Sequence, residues 1–407
     1  MNDWSEFQLG DLYDVSSGLS KAKEEFGFGS TFISFKDVFW NYFLPLKPIG
    51  RVNSNEKDQK NCSVNKGDIL ITRTSESLEE IGMTSVALKD YPCSTFNGFS
   101  KRLRIKKNSP IKVSPQYIGY LLRSRFFRKT VAGFATMTTR ASLNSDSIKR
   151  IKLPFPDFIE QQEIGKTLHA FDHKIELLQA QNKILETMAQ TIFKEWFGKY
   201  QVGDELPEGW RVGVIGDLVE IKRGGSPRPI KDYISDSGYR WLKISDASAT
   251  SSPYIFIIKE HIKKEGLKKT TLKHKGDLVL SNSATPGIPK FLAVDTCVHD
   301  GWMHFPSAKV SNEYLYLLFL SIRPKLLQQG SGSVFVNLKT DILRQFETII
   351  ASKNDFDAFD NLIKPIFTKI YNNALQIQSL TKTRDTLLSK LMSGQVRVNN
   401  IKQTADA

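Results

Sequence analysis

The sequence contains few cysteines and no long apolar segment. Of its 407 residues only three are cysteines, Cys62, Cys93 and Cys297, and they lie far apart. This spacing argues against a disulfide framework or a cysteine-ligated zinc site, and it favours a reducing compartment, so we expect a cytoplasmic protein. No apolar run reaches the length of about 18 residues that a membrane helix needs, and residues 1–4 lack a secretion-signal pattern.

The sequence also lacks a workable catalytic motif. Gly165-Lys166-Thr167 resembles the end of a phosphate-binding loop, but Glu160 stands where that loop needs a glycine. Asp157, Asp172 and Lys174 have the order of a nuclease site, but both aspartates lie on or beside one helix and too far apart to share a metal. No Asn-Pro-Pro-aromatic run of an amino-methyltransferase occurs. We therefore expect no catalytic, cofactor or metal site in this chain.

What the sequence does have is an excess of positive charge. Its 57 Lys and Arg against 43 Asp and Glu give a net charge of +14. Residues 1–156 hold 24 basic against 15 acidic side chains, and residues 201–351 hold 20 against 16. An excess of this size favours a polyanionic partner such as nucleic acid.

Several short motifs occur twice, in the same order, in the two halves of the chain. The matched pairs are Leu9–Leu12 with Ile215–Leu218, Lys66–Leu70 with Lys275–Val279, and Tyr117–Leu122 with Tyr314–Phe319. Leu143 and Asp146 also match Leu338 and Asp341 at one constant spacing. An ordered set of matches indicates a tandem duplication with a unit of about half the chain.

Each repeat divides into a β-rich part and a helical part. Short strand-like runs between clusters of Gly, Pro, Ser and Asn fill residues 1–156 and 201–351, whereas long helical periodicity follows each of them. We predict an α+β protein with two tandem mixed α/β domains separated by two long helices that form an antiparallel coiled coil. The predicted boundaries are 1–156 and 201–351 for the domains, 157–200 for the first helix and connector, 352–397 for the second helix and 398–407 for a tail.

The two long helices have matching apolar seams. In each seam the apolar residues alternate at steps of four and three, and each seam contains one asparagine near its middle, Asn182 and Asn373. Antiparallel pairing in the register that places these asparagines opposite each other lets their amides hydrogen-bond, whereas other registers leave a polar group facing leucine. We therefore predict that Asn182 contacts Asn373. The alternative is that each helix packs only on its own domain.

The same register makes two further predictions. Trp196 faces Phe359, and Arg384 faces Phe171, where the arginine is expected to extend its guanidinium to solvent. A helix of roughly 33 residues is about 50 Å long, so the pair is expected to hold the two domains at a fixed separation.

Polar segments next to predicted strands supply candidates for DNA contact. In the first repeat they are Arg73, Thr74, Ser75, Lys101, Arg102, Arg104, Thr138, Thr139, Arg140 and Ser142. In the second repeat they are Arg223, Arg228, Lys243, Asn282, Ser283, Thr285, Ser333 and Asn337. The alternative for each residue is an ordinary polar loop or a solvated strand face.

Four segments together resemble the specificity subunits of type I restriction–modification enzymes. They are Leu206–Trp210 before Gly216–Leu218, Thr72–Glu76 with Glu80–Gly82, Ser281–Gly287 with His299–Gly301, and Leu153–Pro156 leading to Glu160–Gln162. The similarity covers nearly the whole chain. The second copy departs from the last segment, because Ile349–Ala351 lacks both prolines and the glutamine pair is absent.

The resemblance implies two target recognition domains that each read one half of a split site in double-stranded DNA. It also implies a non-catalytic chain, with S-adenosylmethionine, ATP and Mg²⁺ on partner modification and restriction subunits. Two alternatives stay open: a free-standing bipartite DNA-binding protein, or a degenerate nuclease or methyltransferase.

Overall fold

The computed structural model describes residues 4–137, 139–329 and 337–398. The chain forms two compact units, unit 1 (Met1–Ile175 and Ser379–Ala407) and unit 2 (Glu176–Gln378). Both units mix strands and helices, and the two longest helices, Phe158–Phe193 and Lys353–Met392, each contribute residues to both units. None of the described helices combines the length and apolar character that crossing a membrane requires.

Unit 1 contains twelve described strands and six described α-helices besides the two long ones. The strands are β1 (Ser5–Gln8), β2 (Tyr13–Ser17), β3 (Phe26–Ile33), β4 (Arg51–Val52), β5 (Ile69–Thr72), β6 (Thr74–Ser75), β7 (Thr84–Val86), β8 (Thr95–Phe96), β9 (Ser100–Ile105), β10 (Thr136–Met137), β11 (Ala141–Ser142) and β12 (Lys152–Phe155). The helices are α1 (Leu9–Leu12), α2 (Phe35–Trp40), α3 (Glu56–Asn61), α4 (Pro115–Leu121), α5 (Arg125–Phe134), α6 (Ser145–Arg150) and then the long α7 (Phe158–Phe193).

The sheets of unit 1 pack around two apolar clusters, of which the larger reaches the long helices. Strands pair in the orders β2-β9-β5-β7, β4-β3-β8, β10-β11-β6 and β1-β12. The apolar side chains of β5 and β9, such as Ile69 and Leu103, pack in one cluster with α4 and with buried residues of the long helices, among them Ile164, Leu168 and Leu391. The ends of both long helices that belong to unit 1 are therefore part of its core.

Unit 2 also combines twelve described strands with shorter helices and parts of the two long ones. Its strands are β13 (Arg211–Val214), β14 (Lys222–Arg223), β15 (Ile234–Ser235), β16 (Tyr239–Leu242), β17 (Tyr254–Ile255), β18 (Glu260–Ile262), β19 (Thr271–Lys273), β20 (Leu278–Ser281), β21 (Pro289–Leu292), β22 (Thr296–Val298), β23 (Trp302–His304) and β24 (Glu347–Ile350). Its helices are α8 (Ile215–Leu218), α9 (Ile244–Ser248), α10 (Asn312–Gln329), α11 (Thr340–Arg344) and the long α12 (Lys353–Met392).

Two five-stranded sheets organise unit 2, in the orders β14-β23-β20-β21-β17 and β15-β18-β16-β22-β19, beside the pair β13-β24. A continuous apolar cluster joins α10 to the long helices, and its aromatic members include Phe193, Tyr314 and Phe359. The predicted fold class, with two tandem mixed domains and two long antiparallel helices, is confirmed.

The asparagine pair of the predicted coiled coil is present in unit 2. The Asn373 Nδ2 group donates to Asn182 Oδ1 at 2.8 Å and to Gln181 Oε1 at 2.8 Å, and Asn182 Nδ2 donates to the Ile370 carbonyl at 3.2 Å. Asn373 is almost fully buried. Because an unpaired buried amide is costly, these hydrogen bonds fix the register of α7 against α12. The ring centroids of Trp196 and Phe359 lie 5.7 Å apart, as that register predicts.

The prediction for Arg384 was wrong. Its guanidinium does not extend to solvent but donates to Asp172 Oδ1 at 2.5 Å and lies over the Tyr42 ring at 5.7 Å. Asp172 also accepts a hydrogen bond from the Tyr120 hydroxyl at 2.5 Å. Arg384 of one long helix and Asp172 of the other therefore contact Tyr42 and Tyr120 of unit 1. These partners are distant in sequence and come together only in the folded chain.

The glycine of the Gly165-Lys166-Thr167 motif has a packing role. A Cβ atom at position 165 would lie 2.7 Å from the backbone nitrogen of Tyr117, which is too close for any side chain. Nearby, the buried Gln161 side chain accepts from the Ser114 backbone N–H at 3.0 Å and donates to the Pro156 carbonyl at 3.0 Å. The N-terminal part of α7 thus packs directly against α4.

Candidate nucleic-acid interface

In unit 1, two segments that the sequence predicted separately lie side by side. Strand β6 leaves the end of β5, and β11 pairs with it antiparallel, so that Ser142 lies opposite Thr74 and Ala141 opposite Ser75. Strand β10 extends this small sheet, and the Thr136 and Ser142 hydroxyls lie 2.9 Å apart. The pairing brings three predicted residues, Thr74, Ser75 and Ser142, together in one small hydroxyl-rich sheet.

Arg140 lies in the turn between β10 and β11, and it is 65% exposed. Its guanidinium pairs with Glu76 at 2.9 Å, and the Glu76 side chain is itself 75% exposed. An ion pair this exposed contributes little to stability, so Arg140 can exchange Glu76 for a phosphate or a base edge at small cost. Thr139 beside it is exposed as well, whereas Thr138 lies outside the described residues.

An aromatic groove that the sequence reading missed runs beside this sheet. It has a volume of about 440 Å³, and it is lined by Phe35, Lys36, Phe39, Trp40, Thr74, Ser75, Glu76, Glu80, Phe99 and Arg140. Trp40 is 73% exposed, and Phe99 is also largely exposed. Large exposed aromatic rings beside hydroxyls and cations are typical of a binding surface rather than of a core. The signal was available in the aromatic run of α2, Phe35 to Trp40.

Arg102 and Arg104 correct the prediction for β9. Strand alternation places both on one face, and the segment containing Ser63 and Asp68 covers that face. Arg102 is only 9% exposed, and its Nη1 donates to the Ser63 carbonyl at 2.5 Å. Arg104 makes two bonds to the buried Asp68, at 2.8 Å from Nε and 2.5 Å from Nη2. Both arginines therefore stabilise the packing of the Ser63–Asp68 segment on β9. Lys101 is half-buried, and its ammonium donates to the Ser17 hydroxyl at 2.8 Å.

Arg73 forms what we call the three-bond latch of unit 1. Its backbone N–H donates to the Phe99 carbonyl at 2.9 Å, its carbonyl accepts from the Leu143 N–H at 2.9 Å, and its side-chain Nε donates to the Gly98 carbonyl at 3.0 Å. The latch joins the end of β5 to the turn before β9 and to the segment after β11. It thereby holds the hydroxyl-rich sheet next to Phe99, so that both line the aromatic groove.

The same latch exists in unit 2, with Asn282 in place of Arg73. The Asn282 N–H donates to the Gly301 carbonyl at 2.9 Å, its carbonyl accepts from the Leu338 N–H at 2.8 Å, and its Nδ2 donates to the Asp300 carbonyl at 3.0 Å. Asn282 is 1% exposed. Its prediction as a direct DNA contact is therefore corrected, because its amide is buried and committed to the latch.

Asp300 accepts hydrogen bonds from three residues of the basic loop of unit 2, Arg223 to Arg228. Its carbonyl accepts from Arg223 Nε and Nη2 at 3.1 and 2.7 Å, and its carboxylate accepts from the Ser226 hydroxyl at 2.5 Å and from Arg228 Nη2 at 3.2 Å. The hydrogen bond from Ser226 holds the pKa of the Asp300 carboxyl below its ordinary value, although partial burial acts in the opposite direction. Both predicted arginines of this loop remain exposed, so they keep access to an anion.

The remaining predicted residues of unit 2 do not form one cluster of contacts. Lys243 precedes α9, and its ammonium donates to Glu260 Oε1 at 2.5 Å. Ser283 and Thr285 are half-buried in the turn after β20, Asn337 is exposed, and Ser333 lies outside the described residues. Of the three cations predicted in unit 2, Arg223 and Arg228 are therefore the exposed ones, whereas Lys243 is half-buried.

Comparison with known proteins identifies the family. The model of the type I restriction modification DNA specificity domain matches residues 1–187 and 207–382. The MjaIX type I restriction enzyme specificity subunit of Methanocaldococcus jannaschii is 27% identical over 98% of this chain and 95% of that protein. The HindI specificity subunit of Haemophilus influenzae is 25% identical over 97% of this chain and 100% of that protein.

A solved structure shows the same fold. The crystal structure of the type I restriction–modification S subunit from M. genitalium aligns with a TM-score of 0.60 and 16% identity, and the alignment covers 96% of each chain. With two matches to one family model, the same fold and two copies of one latch, the chain belongs to the type I restriction modification DNA specificity family and is a specificity subunit with two tandem specificity domains.

Proposed function

We propose that each unit of this chain reads one half of a two-part site in double-stranded DNA. The observation that carries the proposal is the duplicated three-bond latch. In both units it holds the end of a central strand, and an exposed cationic segment lies beside it, the Arg140 turn in unit 1 and the Arg223–Arg228 loop in unit 2. A rigid frame with exposed donors at its rim is what base and phosphate recognition requires.

The side chains at the two rims suit a DNA partner. Hydroxyls and guanidinium groups pair with phosphates and with guanine or adenine edges, and exposed aromatic carbon contacts the methyl group of thymine. The excess of basic over acidic side chains in residues 1–156 and 201–351 attracts the phosphate backbone without sequence preference. Specificity then rests on the few exposed groups that reach the base edges.

The chain acts in this proposal as a non-catalytic adaptor in the cytoplasm. Modification subunits bring S-adenosylmethionine and methylate adenine, and restriction subunits bring Mg²⁺ and drive translocation and cleavage with ATP. The long helices, locked in register by Asn182 and Asn373, set the spacing between the two half-sites. Purified chain alone, incubated with DNA, Mg²⁺, ATP and S-adenosylmethionine, is expected neither to cut nor to methylate the DNA.

The proposal is tested by mapping methylated adenines in DNA from cells that carry the complete system. The expected result is a motif of two short defined sequences separated by a gap of fixed length. Cells with the same modification subunit but without this chain provide the control and should lose the motif. One uninterrupted motif, or methylation that persists without this chain, would contradict the proposal.

A further inference from the structure

One backbone N–H next to each latch is held by a different side chain in the two units. In unit 1 the Phe99 N–H donates to Asn97 Oδ1 at 3.0 Å, and in unit 2 the Gly301 N–H donates to His299 Nδ1 at 2.8 Å. Phe99 and Gly301 are the residues whose carbonyls accept from Arg73 and Asn282 in the two latches. The two bonds therefore occupy equivalent places, but an amide oxygen makes one and an imidazole nitrogen makes the other.

The two acceptors respond differently to acid. An amide oxygen accepts a hydrogen bond throughout the physiological pH range, whereas Nδ1 of histidine accepts only while it carries no proton. The bond to Gly301 thus requires neutral His299 with its proton on Nε2. When Nδ1 is protonated it becomes a donor, and the Asp300 carboxylate lies 3.7 Å from it. His299 consequently has one partner in the neutral state and another in the charged state.

The surroundings of His299 set where this change occurs. The ring is mostly buried and lies 5.7 Å from the Trp241 ring. The charged groups that act on it are Asp300, which favours the proton, and Lys243, which opposes it and is itself paired with Glu260. Burial is the largest effect and lowers the pKa of His299 below its ordinary value. The neutral, bonded state therefore prevails at neutral pH and is lost as the pH falls.

Loss of this bond affects Asn282 and the basic loop, which we propose to support DNA recognition by unit 2. Gly301 accepts from the Asn282 N–H, and the Asp300 carbonyl accepts from both Asn282 and Arg223. When a protonated His299 releases the Gly301 N–H and turns towards Asp300, it disturbs the latch and the basic loop together. Unit 1 has no titrating group at the equivalent position, because Asn97 is there.

We propose that His299 is a positioning residue that makes the half-site recognised by unit 2 sensitive to acid, whereas Asn97 keeps recognition by unit 1 insensitive. The inference rests on the proposed function, since it assumes that unit 2 recognises DNA. It assigns the two units different pH responses, from one difference in side-chain chemistry beside the latch.

The test uses the full chain in complex with its modification subunits. Affinity is measured between about pH 5 and pH 8 for the intact site and for sites with one altered base pair in either half. Discrimination by unit 2 should fall in acid by up to about tenfold per pH unit, the limit for uptake of one proton, while discrimination by unit 1 stays constant. Equal loss at both half-sites, or no loss at either, would overturn the proposal.

Two reciprocal variants sharpen the test. His299→Asn should remove the acid sensitivity of unit 2, and Asn97→His should confer it on unit 1. His274→Asn is the matched control, because His274 is exposed and pairs with Asp295 away from the latch, and it should leave both profiles unchanged. Persistence of the acid loss in His299→Asn contradicts the proposal, and absence of sequence discrimination at neutral pH contradicts the proposed function instead.

An NMR titration of the unmodified chain does not depend on how well a variant folds. The His299 ring should carry its proton on Nε2 at neutral pH, and the Gly301 amide resonance should shift with the same midpoint as the imidazole. A ring protonated on Nδ1 at neutral pH, or a Gly301 amide that does not respond to the titration, overturns the inference.

Discussion

The two units share the strands and hydrogen bonds of the latch, which we call the frame. They differ in the exposed side chains around it, which we call the rim. In unit 1 the rim is an aromatic groove with Trp40 and Phe99 beside the single exposed cation of the β10–β11 turn, Arg140. In unit 2 the corresponding latch is surrounded by a polar loop, in which Arg223 and Arg228 converge on Asp300. The difference shows how a duplicated chain can read two unlike half-sites: the hydrogen bonds that hold the frame are kept, and the exposed groups are exchanged.

The largest expected effect distinguishes Arg104, an arginine of the frame, from Arg140, an exposed arginine of the rim. Arg104→Ala should destabilise unit 1 by about 3 kcal/mol, because it leaves the carboxylate of Asp68, 2% exposed, buried without its ion-pair partner. Thermal unfolding of the purified chain measures this change, with the exposed Arg150→Ala as control. If Arg104→Ala keeps full stability and only weakens DNA binding, the assignment of Arg104 to the frame is wrong.

Removal of the acidic centre of the basic loop should weaken unit 2 alone. Asp300→Ala takes away the acceptor of Ser226 and Arg228, so the loop loses its preferred conformation, at a cost of about 2 kcal/mol in specific binding. Binding to sites altered in one half or the other measures the effect. Asp295→Ala, an exposed aspartate of the same unit, is the control. Tighter specific binding by Asp300→Ala would show that this carboxylate competes with DNA for the arginines.

The aromatic groove supplies the matching test for unit 1. Trp40→Ala should reduce binding to one half-site by about 1–2 kcal/mol, within the range of a base contact, and should barely change stability because the ring is mostly exposed. Leu46→Ala changes a side chain of similar exposure outside the groove and should change neither property. Replacement of thymine by uracil in the affected half-site then asks whether a methyl group is the contact. Unchanged binding by Trp40→Ala excludes the groove from recognition.

The smallest expected effect belongs to Arg140→Ala. Because the ion-pair partner of Arg140 among the described residues is the exposed Glu76, its removal should cost about 1 kcal/mol in binding and almost nothing in stability. Loss confined to one half-site identifies a base contact. Equal loss on all sequences, with a salt dependence reduced by about one ion, recasts Arg140 as a phosphate contact. A large loss of stability would contradict its place at the rim.

The helix register was predictable because it depends on local periodicity and on one strong rule, that a buried amide needs a partner. Asn182 and Asn373 satisfy both conditions. Arg102 and Arg104 were not predictable in the same way. Strand alternation shows that they share a face, but only the packing of Ser63 and Asp68 decides that the face is covered.

The candidate site was predictable only in part. The segments around Thr74 and Arg140 were found from their composition, whereas the groove needs Trp40 and Phe99, which are distant in sequence, to meet in space. The role of Asp300 was also hidden, because its partners Arg223 and Ser226 lie far away in the chain. Such contacts follow from strand pairing and cannot be read from periodicity.

Replacement of residues 1–156 by the corresponding domain of another family member tests the central claim most directly. Methylated adenines are mapped in cells that carry the chimaera and the original partner subunits. The account predicts that one half-site changes, while the other half-site and the gap stay as they were, because each unit has its own core and its own latch. A chimaera that changes both half-sites, or that changes neither, contradicts the claim that each unit reads its own half of the site.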